Sequence, residues 1–212
     1  VTEYPKIETL YDRDERTHKV IPGKIRMPEF ELVSRWLVTE KIDGTNIRVH
    51  LKHGEVMYGG RTDAAQLHAS LVEWLRTQLP AEKVRAAFDP GVEAILFGEG
   101  YGPKIQKGGG LYRSDVSFRL FDVLVVTPDR DWWLTFPNVS DVAAKLEIET
   151  VPVLGASLTF EEAIALVRRP SLVARTDGGA GCDQEGIVCR TDPLLFTRRG
   201  DRVMWKLKGR DF

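Results

Sequence analysis

Apolar and polar positions alternate with a period of two along much of the chain. In Arg202-Val-Met-Trp-Lys-Leu-Lys208 this puts Arg202, Met204, Lys206 and Lys208 on one face and Val203, Trp205 and Leu207 on the other. The pattern predicts a half-buried strand with two lysines pointing the same way. Similar stretches predict strands over 36–40, 45–51, 56–59, 92–97, 116–126, 151–154 and 186–190. Asp43-Gly44 and His53-Gly54 read as tight turns, so 36–60 is expected to form a meander of antiparallel strands. Helical spacing is rarer. Leu67, Leu71, Val72 and Leu75 predict a helix over 63–79, and Pro80 suits the first turn of a short one reaching Phe88. Thr159-Phe-Glu-Glu162 has the spacing of a capping box ahead of 163–168, and Ser140 is expected to cap a helix through Leu146. With strands dominant and helices as interruptions, the fold class is α+β, with antiparallel sheets.

Composition narrows the picture. The 212 residues are 42% hydrophobic and 29% charged, which excludes a disordered or fibrous chain and suits one soluble domain or at most two small ones. The longest apolar run, 120–126, is broken by Asp122 and is far short of the roughly 20 residues that cross a bilayer, so no membrane partner is expected. The amino end lacks the basic and apolar regions of a secretory leader and reads as a trimmed start. Together with only two cysteines, Cys182 and Cys189, this points to a reducing, cytoplasmic setting. Two cysteines without a nearby histidine make a zinc site a poor reading, and His18, His50, His53 and His68 show no metal-binding spacing. Net charge is −1, yet Arg198, Arg199, Arg202, Lys206, Lys208 and Arg210 stand against Asp201 alone in the last stretch. A solvated basic face is the plain explanation. The segment 98–114 carries six glycines with Lys104 and Lys107 and reads as a mobile surface loop of the kind that often carries function. It lacks the Gly-Lys-Ser/Thr ending of a phosphate-binding Walker loop.

Lys41-Ile-Asp-Gly44 is a weak signal by itself. It gains weight from an ordered set of downstream motifs: Arg61 after Gly60, Phe97-Gly-Glu99, Leu120-Phe-Asp122, Glu185-Gly-Ile-Val-Cys-Arg190 and Lys206-Leu-Lys208. In this order the chain resembles the covalent nucleotidyltransferases, the superfamily of ATP-dependent DNA and RNA ligases and mRNA-capping enzymes. The resemblance spans 36–208. Glu40-Lys-Ile-Asp-Gly-Thr-Asn46 and the stretch 98–109 look most like the RNA ligase 2 group, because DNA ligases and capping enzymes usually have arginine where Asn46 stands.

The resemblance implies an antiparallel-sheet adenylyltransferase domain over 1–212, with no oligonucleotide-binding barrel or helical extension after Lys208. It implies ATP and Mg²⁺ or Mn²⁺ as cofactors, with Lys41 as the nucleophile that captures AMP. A free lysine amine is neutral in roughly one molecule in 2,500 at pH 7, so burial and neighbouring positive charge must assist. Lys206 and Lys208 are the expected catalytic cations, and would also steady charge on the phosphates. The nucleotide-binding set implied is Glu40 on the adenine amino group, Ile42, Asn46, Arg61 at the ribose, Glu99, Glu185, and Phe121 and Val188 on the two faces of the base. Asp43, Glu99 and Glu185 are the implied metal carboxylates, acting largely through water. Arg190 stands where ligases commonly have lysine, which keeps the charge but not the donor geometry.

The expected function is sealing of RNA 5′-phosphate to 3′-hydroxyl ends, most simply in a nicked duplex, through lysyl-AMP and an adenylylated 5′ end. Lys104, Lys107, Arg202 and Arg210 are the expected RNA contacts, and an RNA-binding partner in trans would suit so short a chain. The rival expectations are a DNA ligase or capping core, and a catalytically silent RNA-binding protein of the same fold.

Overall fold

A computed structural model describes residues 2–211, which form two compact units. One comprises 2–4, Asp43–Val151 and Ala174–Ala180; the other comprises Pro5–Ile42, Pro152–Val173 and 181–211.

The first unit is built on a five-stranded antiparallel sheet in the order Glu55–Gly59, Thr45–Lys52, Glu93–Tyr101, Ser117–Val126, Trp132–Trp133. Alternation gives it one apolar face, where Ile47, Val49, Leu51, Leu96, Phe118, Leu120 and Val123 pack against the helices Ala69–Gln78, Ala81–Ala86 and Phe136–Lys145. The opposite face carries Asn46, Arg48, His50 and Lys52 at alternate positions of a single strand. The helix expected over 63–79 begins at Ala69, with the His68 side chain accepting from the Ser70 amide. The helix expected after Ser140 instead starts a turn earlier, after Thr135 and with Pro137 in its first turn. Ser140 lies inside it, its hydroxyl donating to the Phe136 carbonyl. Proline's preset φ and missing donor suit a helix start, and that signal outranks the serine.

The second unit holds a five-stranded sheet in the order Glu8–Thr9, Met204–Lys208, Gly186–Arg190, Trp36–Lys41, Val153–Leu158. Every pairing is antiparallel except the first, where Glu8 lies beside Trp205 in parallel register. Its core gathers Trp36, Val38, Ile187, Cys189, Trp205 and Leu207 with Phe30, Ala163 and Val167. Trp36 and Trp205 meet edge to face at 5.6 Å. Each is essentially fully buried, and burying such a ring contributes about 2–3 kcal/mol. The capping box at Thr159 and Glu162 forms as expected and opens the helix Phe160–Ile164.

One expectation fails instructively. Residues 36–60 do not make a continuous meander, because Trp36–Lys41 and Thr45–Lys52 belong to different sheets. Asp43-Gly44 is therefore a crossing, and only the turn at His53-Gly54 closes a hairpin, pairing Lys52 with Glu55. Trp36–Lys41 is flanked by strands from 153–158 and 186–190, far away in sequence, which no local turn signal could announce. Among the described residues no helix is long and apolar enough to cross a membrane.

Candidate active site

In the second unit, strand register assembles a line of cations. Lys41 and Lys208 are both paired with Gly186, one on each side of it, and Thr39 and Lys206 are likewise paired with Val188. Directly paired residues project to the same face, so Thr39, Lys41, Val188, Lys206 and Lys208 share one surface while Trp205 and Leu207 fill the core behind it. Gly186 leaves no side chain between the two lysines. A Cβ there would lie 2.1 Å from the Leu207 carbonyl oxygen, so the position accepts only glycine.

Glu185 is fixed by its backbone on both sides, its amide donating to the Lys41 carbonyl at 3.1 Å and its carbonyl accepting from the Gly209 amide at 2.9 Å. From there its carboxylate accepts from Lys41 Nζ at 2.6 Å and from Lys208 Nζ. Burial alone would raise this carboxyl; the Lys41 charge and the Lys208 hydrogen bond outweigh it and hold the pKa below the ordinary value. Beside the burial and positive charge expected around Lys41, the structure sets a carboxylate, that of Glu185, at 2.6 Å.

Glu40, expected at the adenine amino group, lies behind this surface. Alternation turns it away from Lys41, to the face where it pairs with Ile187. There it is 1% exposed, and its carboxylate accepts from the Ser171 hydroxyl and from the amides of Leu172 and Val173. A buried carboxylate needs such donors, and here they tie the start of the helix Leu172–Thr176 to the strand. Ile42 is buried as well. Val188 stays half-buried on the lysine face, its carbonyl accepting from the Thr39 hydroxyl at 3.2 Å. Arg190 shares that face and is 3% exposed.

The first unit presents oxygen donors. Asn46 and Glu99 are directly paired, and Glu99 is paired in turn with Arg119. Asn46 Oδ1 is buried with no hydrogen-bond partner among the described residues. Gly44 lies so close to this group that a Cβ would sit 2.3 Å from the Gly100 carbonyl oxygen and 2.9 Å from Glu99 Cγ, which brings the Asp43-Gly44 backbone against Glu99. Tyr112 Oη accepts from the Asp43 amide at 3.2 Å, and Gln106 Nε2 donates to the Gly44 carbonyl at 3.1 Å. Sequence reasoning missed Tyr112 and Gln106. Both lie in the glycine-rich segment, whose glycines mark close packing as much as freedom: a Cβ on Gly109 would lie 1.9 Å from the Gly102 carbonyl oxygen. The segment's start, through Tyr101, is strand rather than loop.

Phe121 is the extra residue of a β-bulge: Phe97 pairs with Asp122 and Gly98 with Leu120, leaving Phe121 unmatched. Such a bulge re-aims its side chain. The half-buried Phe121 ring meets the Tyr4 ring edge-on at 5.0 Å, and Tyr4 Oη donates to Asp122 Oδ2 at 2.7 Å. Arg61, Lys104, Lys107 and Arg210 are exposed, and Arg202 is half-buried. Among the described residues no three His, Cys, Asp or Glu side chains gather into a ready-made metal cage. Asp43, Glu99 and the orphaned Asn46 oxygen are nevertheless hard donors of the kind that hold a hydrated Mg²⁺ or Mn²⁺.

The model of the RNA ligase family matches residues 34–208. A search of curated protein sequences finds no match. Among solved structures, the chain resembles a Naegleria gruberi RNA ligase lysine-to-alanine mutant with ATP and Mn, at a TM-score of 0.65 and 21% identity over 98% of this chain and 58% of that one. A second lysine-to-alanine mutant of the Naegleria gruberi RNA ligase, also with ATP and Mn, matches at 0.66 and 21%, over 98% and 61%. The Naegleria gruberi RNA ligase with PPi matches at 0.65 and 21%, over 98% and 62%. The chain thus spans about three fifths of the chains it resembles, and the likeness extends to the mixed fold with antiparallel sheets. With its family model covering the strands that carry Lys41, Glu99, Glu185 and Lys208, the chain belongs to the RNA ligase family.

Proposed function

We propose that the chain is the adenylyltransferase part of an ATP-dependent RNA ligase, and that Lys41 is its nucleophile. The observation that carries this reading is the convergence of Lys41 and Lys208 on the single carboxylate of Glu185, on a strand face that also bears Lys206. A merely structural face gains little from placing three lysines and one acid together out of bulk water. A triphosphate-binding face does.

In the free protein Glu185 pairs with Lys41. An arriving triphosphate offers Lys206 and Lys208 a stronger anion than Glu185, which loosens the triad. Lys41 loses its proton to water, its amine bonds to the α-phosphorus of ATP, and the bond to the pyrophosphate oxygen breaks. Lys206 and Lys208 steady the charge that develops on the phosphates. Val188 supplies an apolar surface for the base. Glu40 braces Lys41's strand from behind. Asp43, Glu99 and Asn46 would hold a divalent cation, which lowers the cost of bringing polyphosphate charge to the site. AMP then passes to an RNA 5′-phosphate, and a 3′-hydroxyl displaces it to seal the strand. Lys104, Lys107, Arg202 and Arg210 hold the RNA backbone, so binding weakens as salt rises. A nicked duplex is the proposed substrate, with an RNA-binding partner in trans as the proposed aid.

The test is incubation with α-labelled ATP and Mg²⁺ or Mn²⁺, followed by denaturation. Label is expected on the parent and absent from Lys41→Ala. An unlabelled parent that still binds RNA would establish a silent RNA-binding protein, and label from GTP in preference to ATP would establish a capping-type core.

A further inference from the structure

Two of the strands that carry the lysine face, Gly186–Arg190 and Met204–Lys208, are joined by a tongue at 191–203. It is internally braced. Phe196 and Arg202 form an antiparallel bridge, the Val203 amide donates to the Leu195 carbonyl at 2.8 Å, and the Thr197 amide donates to the Asp201 carbonyl at 2.8 Å. Gly200 closes the tip at φ 87°, its amide donating to the Thr197 carbonyl, and the Leu195 amide is anchored by the Thr191 hydroxyl. The brace serves to display unusual side chains. Phe196 is 51% exposed and Leu195 beside it 47%, with Arg198 and Arg199 exposed at the tip. Phe196 has no aromatic or cationic side chain stacked on it among the described residues, whereas exposed Trp132 is covered by Arg130 at 3.8 Å. Between 194 and 203, Arg198, Arg199 and Arg202 stand against Asp201 alone.

We infer that the tongue is a contact for single-stranded or end-frayed RNA, with a base stacked on Phe196 and phosphates held by Arg198 and Arg199. The inference rests on the proposed ligase reading and extends it to how substrate is gripped. An adjacent apolar pair costs solubility unless it is covered. A rigid ring next to two guanidinium forks matches a nucleic-acid strand, which offers a π-face and an anion at every step. An acidic protein surface would satisfy the arginines but would not need the ring. Position agrees: Arg202, bridged to Phe196, lies four residues before Lys206, about 13 Å in an extended strand, or roughly four nucleotides of stacked strand from the lysine face.

The test is fluorescence anisotropy of a 5′-labelled RNA oligonucleotide titrated with the full chain, alongside labelling by α-labelled ATP. Phe196→Ala is expected to weaken RNA binding by about five- to a hundred-fold while retaining ATP labelling. Phe196→Trp is expected to retain affinity and show quenching of its fluorescence on binding. Arg198→Ala with Arg199→Ala should lower the slope of log affinity against log salt by about 1.4. Unchanged RNA affinity in Phe196→Ala would overturn the inference and leave the tongue to a protein partner. A parent that labels with ATP but binds no RNA would overturn it while leaving Lys41 chemistry intact; a parent that does neither removes the reading beneath it.

Discussion

Each unit contains a shielded ionic cluster, and the two are made differently from similar ingredients. In the first unit Asp177 accepts from Tyr101 Oη at 2.5 Å and pairs with Arg119 at 2.7 Å and Arg113 at 3.2 Å, while Arg119 also donates to the Thr150 carbonyl. The Asp177 and Arg119 side chains are 8% and 7% exposed. In the second unit Glu185 meets Lys41 and Lys208, with side chains 13%, 20% and 17% exposed. Arginine forks bound to carbonyl, hydroxyl and carboxylate at once have little freedom to rearrange. Lysines are point charges on flexible stems, and these two share one acid. The first cluster is built to stay shut, pinning 174–180 to the sheet. On the proposed reading the second opens when a competing anion arrives.

The sharpest way to break this contrast is Lys41→Arg. It keeps a cation for Glu185 and so should preserve thermal stability, yet arginine cannot give up its proton. Labelling by ATP is expected to fall below detection with the melting temperature nearly unchanged; a fall in both would make the second cluster structural too. Asp177→Asn should do the reverse, lowering unfolding free energy by about 3 kcal/mol in a denaturant titration, because the buried Arg119 loses its closest anion and the half-buried Arg113 one of its two. Any loss of labelling should then follow the loss of folded protein.

Acid sharpens the comparison further. Glu185 and Asp177 both titrate below the ordinary carboxylate value against burial, Glu185 held down by its two lysines and Asp177 by the Tyr101 hydroxyl and its arginines. The unfolded chain therefore binds more protons, and their stabilisation is full above about pH 5 and lost as pH falls through the folded-state values. Melting temperatures measured from pH 6 to pH 3 should fall, and Asp177→Asn should flatten part of that slope. Smallest of all should be Tyr112→Phe, which removes the acceptor for the Asp43 amide at a cost of about 1 kcal/mol. A modest slowing of labelling with unchanged RNA affinity would place that hydroxyl in support of the crossing at 43–44.

Much of the site was legible in the chain alone. Alternation in 202–208 placed Lys206 and Lys208 on one face, and the structure keeps them there, with Trp205 and Leu207 in the core. The order of the charged motifs led to the family that the comparisons support. The surroundings of Glu40 were not legible, because the pleat sends neighbouring side chains to opposite faces and its donors at 171–173 lie far along the chain. The bulge at Phe121 was invisible because an extra residue shows only against a partner strand.

What the sequence determined by itself was periodicity and chemistry: which stretches are strands, which faces are apolar, and which lysines, carboxylates and glycines recur in an order that marks the RNA ligase family. Tertiary structure decided the rest. It sent the two strands around Asp43-Gly44 into different sheets, set Lys41 and Lys208 on either side of Gly186, and gave their charges to Glu185. The physical reason is that strand pairing and ion pairing join residues as far apart as Lys41 and Glu185, 144 positions along the chain, and such partners are chosen by the packing of the whole core rather than by any local window.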